Sequence, residues 1–587
     1  MPYFGSNRGS VIMYSVLASY NAVVEPHADM NLEVLTEAGM SNVASYIFVV
    51  CTTDDVVKCY SGYYSASSGA SAGVSVPCAA YDELTVTVTG YDSNDDEVIN
   101  ASGTALCLYV RREIQSLTAA DLEDTMDAMY TLWQVSDADG RTTYGEYYHS
   151  AEYFTQAHHF NAAQQESDHI HEGLGFIAQH IKISNAFEKA MQAVNPKVAL
   201  PYWDFTRDAA KGLSIFDTPY FSASMFGSIV APSDTKWGYR YSSDDMAQVY
   251  IPDGRWAKLM ALKDTYEDFK GLGNAFGYLR GPWNLNPSPY VTRFAIAAPP
   301  LPTCDAYYEG LTMSSYTSFL QWAPFDPHAP IHGGVGGIFG CDKLDQLRDA
   351  GLINDEQAQR TICAEWGFTI KDLYRGNYIT AKSGCTFGSD LTEKSISCGF
   401  ECSADYYDEL PHKLSTIIQG VEGRLDLSTE QWEQWRDFVC DGDGSKVFVG
   451  DHLESASTYD PSFWPMHPTL ERLVQAKYLG GMMLDWEWPT EAKDVCDKAN
   501  CMMDNEFDNF AQCCYGHYEG DQMLDFTSGN TYSYVGPTNG QTMLDTDPST
   551  DAYAMPYIYE HFNWDHCQQD FASYVEVAKM INEGRRR

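Results

Sequence analysis

The chain has 587 residues, 44% hydrophobic and 14% aromatic, which is more than one compact core usually organises and far too apolar for a disordered polymer. Its formal net charge of −44 and pI near 4.5 exclude nucleic acid as a partner, because such a surface repels phosphate. Apolar runs fall short of the ~20 residues a bilayer helix needs, so no membrane span is expected.

Sixteen cysteines, an even number without paired CxxC motifs, read as disulfides formed in an oxidising compartment rather than as a zinc site. Asn100-Ala-Ser, a glycosylation acceptor, agrees with a secreted or secretory-lumen protein. The opening MPYFGSNRGSVIMYSV does not read as a basic-then-apolar signal segment, which leaves a removed leader or another route. The acidic surface suits a highly soluble protein in a salty medium, with cation or mineral binding as the alternative.

Residues 1–112 are rich in Val, Tyr, Thr and Ser. Residues 45–51, 84–89 and 105–110 read as strands, the second with clear alternation, separated by turn-rich stretches such as 65–73. A β-sandwich module of immunoglobulin-like size is expected, with Cys51, Cys59, Cys78 and Cys107 forming two bridges. It carries no visible chemistry, so packing or homo- or hetero-assembly is its expected role.

From Leu117 the texture becomes helical. Thr118 caps a helix whose apolar positions are Leu122, Met126, Met129 and Leu132. A second helix is expected from Tyr147 to about His159, and a third from near His180 to about Val194. The chain is then irregular to about 320, with Pro299-Pro-Leu-Pro-Thr as a turn. Residues 340–450 read as an insertion stapled by six cysteines, with a helix over 429–439. Residues 491–587 form a Cys-, Asp- and Tyr-rich extension packing on the core, so the domains expected are 1–112, 113–490 and 491–587.

Six of fifteen histidines form a pattern. His171 and His180 lie nine residues apart, which suits one ligand on a loop and one on the helix behind it. Their partner comes from upstream, where His149, His158 and His159 compete and His169 is a reserve. His158 is favoured because Tyr153 and Phe154 then pack the flanking faces. His328 and His332, at i and i+4, are neighbours on one helical face, with Pro330 confined to a first turn. The glycines at 333, 334, 336 and 337 imply close backbone packing, and His467, with Pro468 at a helix start, completes the second set. One HxxxH is more often structural than metal-binding, but two three-histidine sets are not easily accidental. Imidazole-only sets suit copper, zinc, iron or nickel; the missing Glu of HExxH lowers the zinc-protease option, and neutral imidazoles without carboxylates favour copper.

Together these segments resemble the tyrosinase copper-binding domain of the type-3 binuclear copper proteins, which include tyrosinases, catechol oxidases and haemocyanins. The resemblance rests on His171 and His180, then Phe187-Glu188, Pro201-Tyr-Trp-Asp204, His328, His332 and Gly336-Gly337, and finally Asp460 to Arg472. It covers residues 110–340 and 455–490. It implies a mainly α domain whose four-helix bundle holds two copper ions on His158, His171, His180, His328, His332 and His467, so that with the β-sandwich expected before it the chain is multidomain α+β. O2 is the implied co-substrate and small phenols the implied substrates.

Departures from the pattern sharpen the expectation. Met466 stands where many members have a first of two adjacent histidines, leaving His467. Ala329 follows His328 where many have Asn, no Glu lies between 310 and 327, and Asp326 is the nearest carboxylate in sequence. That favours oxidation of o-diphenols to o-quinones over hydroxylation of monophenols. No cysteine lies between Cys107 and Cys304, so no local thioether to a first-site histidine is expected. The long 340–450 insertion is placed to roof the site, and Phe463-Trp464-Pro465 to wall the substrate pocket. An O2 carrier of haemocyanin type is the alternative, and a structural protein retaining the fold is the third.

Overall fold

A computed structural model describes residues 2–6, 20, 22–27, 29–34, 42–53, 58–65, 72–75, 78–229, 249–265, 272–294, 301–422, 425–440, 442–483, 485–496, 514–525 and 533–567. The expected turns at 65–73 and 299–303 and the chain end at 583–587 fall wholly or partly outside these residues.

The N-terminal strands are β1 (Pro2–Ser6), β2 (Ala22–Val24), β3 (Asp29–Val34), β4 (Ser45–Thr52), β5 (Cys59–Ser65), β6 (Ala72–Ser75), β7 (Glu83–Tyr91), β8 (Glu97–Cys107) and β9 (Tyr109–Arg111). They form a five-stranded sheet in the order β2-β8-β7-β4-β5 and a three-stranded sheet in the order β1-β3-β6. Alternation drives β7: Leu84, Val86 and Val88 are buried while the threonines between them are half-buried, as a strand with one face on a core requires. Cys51–Cys59 joins paired positions of β4 and β5, and Cys78–Cys107 ties the end of β8, the two bridges expected. The strand expected at 105–110 is broken at Leu108. Its second part, β9, pairs in parallel with Tyr557–Tyr559 from near the chain's other end.

The helices that follow are α1 (Ala119–Gln134), α2 (Asp137–Tyr144), α3 (Ala151–Ala162), α4 (Phe176–Val194), α5 (Phe205–Ala210), α6 (Cys304–Thr312), α7 (Tyr316–Trp322), α8 (Ala329–Gly336), α9 (Asp345–Asp349), α10 (Glu356–Ala364), α11 (Trp366–Arg375), α12 (Leu410–Glu422), α13 (Thr429–Cys440) and α14 (His467–Gly480). Thr118 caps α1 by accepting from Asp121 N, and Met126, Met129 and Leu132 are buried. The helix expected from Tyr147 begins instead at Ala151, where the Ser150 hydroxyl accepts from Tyr153 N. Before it, Ser136 caps the unexpected α2, which stops at Gly145 with φ of 101°. α4 starts at Phe176, one turn earlier than expected, so His180 stands inside it.

The motif residues around α4 and α14 bind each other. Phe187 stacks on Trp464 at 3.6 Å. The buried Arg111 guanidinium donates to Glu188 at 2.6 Å and to Glu471 at 2.8 Å, and Arg472 donates to Asp204 at 3.2 Å. Buried charges persist only when paired in this way. The insertion has its own core of Leu344, Ile362, Trp366, Leu373, Leu414 and Trp435, stapled by Cys341–Cys363, Cys385–Cys398 and Cys402–Cys440. Cys304–Cys567 and Cys496–Cys514 tie the C-terminal segment. Every described cysteine is disulfide-bonded, and no helix among the described residues is long and apolar enough to cross a membrane.

Candidate metal centre

Two histidine trios meet between α3, α4, α8 and α14. His158 projects from α3, His171 from the loop before α4, and His180 from α4, with ligand nitrogens within 4.8 Å of one another. His328 ends a π-turn over Pro324–His328, His332 lies on α8 and His467 opens α14, and their nitrogens meet the same limit. Pro330 sits in the first turn of α8, where its missing N–H costs nothing. Gly336 lets α8 approach residue 453, since a Cβ there would stand 2.6 Å from Leu453, and Gly337 takes φ of 62°. Gly333 and Gly334 face open space, so close packing explains only half of that glycine run. The trios adjoin: the His180 and His467 rings stack at 4.2 Å.

The outer nitrogens fix the tautomers. Nδ1–H of His158 donates to Ser455 O at 2.6 Å, of His180 to Phe176 O at 2.8 Å, of His328 to Pro324 O at 3.0 Å and of His332 to His452 O at 2.5 Å. His171 Nδ1–H donates instead to the Asp168 carboxylate, 3.1 Å from each oxygen. Each Nε2 is therefore a bare lone pair facing inward. His158 Nε2 lies 3.2 Å from His171 Nε2, and His328 Nε2 lies 2.8 Å from His332 Nε2. Acceptors opposed at such distances repel unless a cation lies between them. The buried Nε2 atoms of His180 and His467 likewise have no hydrogen-bond partner. Burial, reinforced by the neighbouring imidazoles, lowers His158 and His328 to about 3 and holds His180, His332 and His467 well below the ordinary histidine value. All five stay neutral at physiological pH, as metal ligands must.

Residues 148–346 match the family described as the common central domain of tyrosinase. The chain contains a tyrosinase-type central domain. The match spans five of the six clustered histidines, all but His467. Grixazone synthase from Streptomyces griseus subsp. griseus is 35% identical over 66 residues, which is 11% of this chain and 20% of that protein. The chain thus spans about a fifth of that relative's length. The residues present fit the binuclear copper that a tyrosinase-type domain implies: neutral imidazoles only, lone pairs converging, tautomers locked from outside.

A cavity of about 290 Å³ opens onto the trios. Its floor includes His171, His328, His332 and Phe176, and Trp283 and Phe325 stand on its walls. The insertion contributes Gly367, Phe368, Lys371 and Asp372 of α11, so it lines one side of the open cavity. Phe325 and Phe368 are exposed at its rim, 64% and 46%. The expected wall Phe463-Trp464-Pro465 is absent from the lining. Phe463 and Trp464 are fully buried beneath the histidines, with Phe463 4.2 Å from the His467 ring. Their large apolar surfaces serve the core between α3, α4 and α14.

The other histidine candidates point elsewhere. His159 bonds Ser455 Oγ at 2.9 Å and Leu272 O at 2.9 Å, His169 bonds Tyr515 O at 2.9 Å, and His149 pairs with Asp137 at 3.0 Å. Asp326 is exposed and accepts from Trp322 Nε1 at 3.1 Å. Sequence reasoning missed Asp168, three residues before His171, and Ser455 and His452, whose carbonyls orient His158 and His332. A carboxylate at that spacing from a candidate ligand is a usable signal; backbone carbonyls leave none.

Proposed function

We propose that this chain is a copper-dependent phenol oxidase that uses O2 to convert o-diphenols to o-quinones. His158, His171 and His180 hold one copper, and His328, His332 and His467 the other. The observation that carries this reading is the pair of opposed, tautomer-locked Nε2 couples, His158–His171 at 3.2 Å and His328–His332 at 2.8 Å. When bound, the copper pair supplies the electron exchange with O2 that two-electron oxidation of a diphenol requires.

The protein's own part is orientation and exclusion. Carbonyl and carboxylate acceptors hold five imidazoles by Nδ1, so their Nε2 lone pairs keep fixed directions. The cavity gives a phenol an apolar bed on Phe176, with Trp283, Phe325 and Phe368 around it. Asp168, Glu172, Asp372 and Glu454 line the cavity, but beside His328 Ala329 offers no polar group and Asp326 is exposed, so the position next to this ligand holds no base for a phenol proton. That supports diphenols, the more acidic and more easily oxidised substrates, over monophenols.

A closed oxygen carrier is the second reading. The His171 side chain is 24% exposed and lines an open cavity, which favours substrate entry. The test joins copper quantification to phenol and catechol oxidation on one reloaded sample. Two copper ions per chain with steady catechol turnover are expected. Less than one copper per chain overturns the proposal, and reversible O2 uptake without turnover turns it to the carrier.

A further inference from the structure

His171 differs from the other five clustered imidazoles in three ways. It lies on a loop, outside any helix, so no helical backbone fixes its direction. Its side chain is 24% exposed, whereas the other five are buried. Its Nδ1–H alone meets a carboxylate, where four others meet backbone carbonyls and His467 Nδ1 has no partner.

That carboxylate is built in. Asp168 is 6% exposed, and its Oδ1 also accepts Ile170 N at 3.0 Å and His171 N at 2.8 Å, so the loop folds around it. Behind it stands Arg375 of α11, with its side chain 1% exposed. Its Nη2 lies 3.9 Å from Asp168 Oδ2 and donates to Ala162 O at 3.0 Å, its Nη1 donates to Glu172 at 2.8 Å, and its Nε reaches Gln164 O at 3.4 Å. Lys371, one turn earlier on α11, also pairs with Glu172. A helix of the insertion thus grips both carboxylates of the loop that carries His171.

We propose that Asp168 is the positioning residue of the first metal site, anchored by Arg375, so that occupancy of that site depends on the insertion. A carboxylate behind a ligating imidazole fixes its tautomer and raises its basicity, and losing such a partner typically weakens metal affinity about 10–100-fold. The inference rests on the di-copper reading above.

The test is a stepwise copper titration of the full chain, wild type beside Asp168→Asn. Asn keeps one oxygen for the two backbone N–H bonds and the His171 Nδ1–H, but removes the charge and turns an NH2 toward Arg375, which retains its bonds to Glu172, Ala162 O and Gln164 O. Wild type is expected to take two equivalents. The variant is expected to keep one at wild-type affinity and bind the other about 10–100-fold more weakly, with the metal-free melting temperature unmoved. Arg375→Lys, which keeps the charge but loses the fork, is expected to weaken the same single equivalent by less. Two equivalents at wild-type affinity in both variants overturn the inference alone. Equal weakening of both equivalents together with a lower metal-free melting temperature also overturns it, because that is a structural role. Wild type that takes up no copper overturns the di-copper reading itself.

Discussion

Asp460→Asn probes the turn that launches α14 and with it His467. Asp460 is fully buried. Its oxygens accept Arg293 Nε and Nη2 at 2.7 Å each, Ser462 Oγ at 2.7 Å and Ser462 N at 3.0 Å. Asn keeps one oxygen but turns an NH2 toward a guanidinium that is 2% exposed and whose Nη1 is held by the carbonyls of Phe226 and Gly227. Removing one partner of a buried ion pair costs about 3–5 kcal/mol. The acid's own titration gives a second figure. Burial raises its pKa, but Arg293 overrides that and holds it at about 2, against 3.8 for the free group. At about 1.4 kcal/mol per unit, that difference makes the ionised carboxylate worth about 2–3 kcal/mol. Its pKa is depressed, so this contribution is complete above pH 3.8 and is lost as pH falls through 2. The two routes bracket about 2–5 kcal/mol. Hydrogen exchange at neutral pH reads it as local opening. Amides of residues 457–480 should lose protection by about 30-fold or more, while the five-stranded sheet keeps its rates. Unchanged exchange over 457–480, or equal loss in the sheet, refutes the reasoning.

Phe368→Ala should raise KM about fivefold for catechols with an apolar substituent while leaving kcat and unsubstituted catechol unaffected, the loss of roughly 1 kcal/mol of apolar contact at the cavity rim; steady-state kinetics on the two substrates checks it. His517 is fully buried, donating to Asp168 O at 2.8 Å and accepting from Gly175 N at 3.2 Å, and burial lowers it to about 4 from 6.5. Its contribution, about 3 kcal/mol, is complete above pH 6.5 and is lost as pH falls towards 4, so protection of residues 168–175 should drop over that range in wild type and lose most of that slope in His517→Gln.

The histidines were legible because ligand chemistry restricts residue type, and because helical spacing puts His328 and His332 on one face. The choice between His158 and His159 was harder: adjacent helical residues point about 100° apart, and both faces of α3 are buried. What separates them is Ser455, whose carbonyl takes His158 and whose hydroxyl takes His159. That contact joins residues 297 positions apart, beyond any local pattern. The strands over 45–51 and 84–89 were legible from alternation, whereas α2 was not, because its polar sequence DADGRTTY lacks an apolar stripe and buries only Gly140. The motif residues Glu188, Asp204, Glu471 and Arg472 were readable as a pattern but not as contacts. The structure shows their work as charge pairing that clamps α4 and the segment after it to α14.

The insertion then has a mechanical consequence. Gly367 packs α11 so closely on residues 448–449 that a Cβ would stand 2.7 Å from Val449, and the strand Phe448–Val449 pairs with Ile338–Phe339 directly behind α8. α11 is therefore fixed to the element carrying His332, while its Phe368 reaches the cavity rim and its Arg375 reaches the loop carrying His171. One short helix, held by disulfide-stapled neighbours, thus touches the loop of the first trio, the strand behind the second and the cavity. A change that shifts α11 moves Phe368 at the cavity rim and Arg375 against Asp168 together, so on the phenol oxidase reading it cannot alter substrate fit alone. Substitutions in the α11 core, such as at Trp366 or Leu373, should therefore couple KM for bulky phenols to affinity for the first copper, whereas rim substitutions such as Phe368→Ala change KM alone.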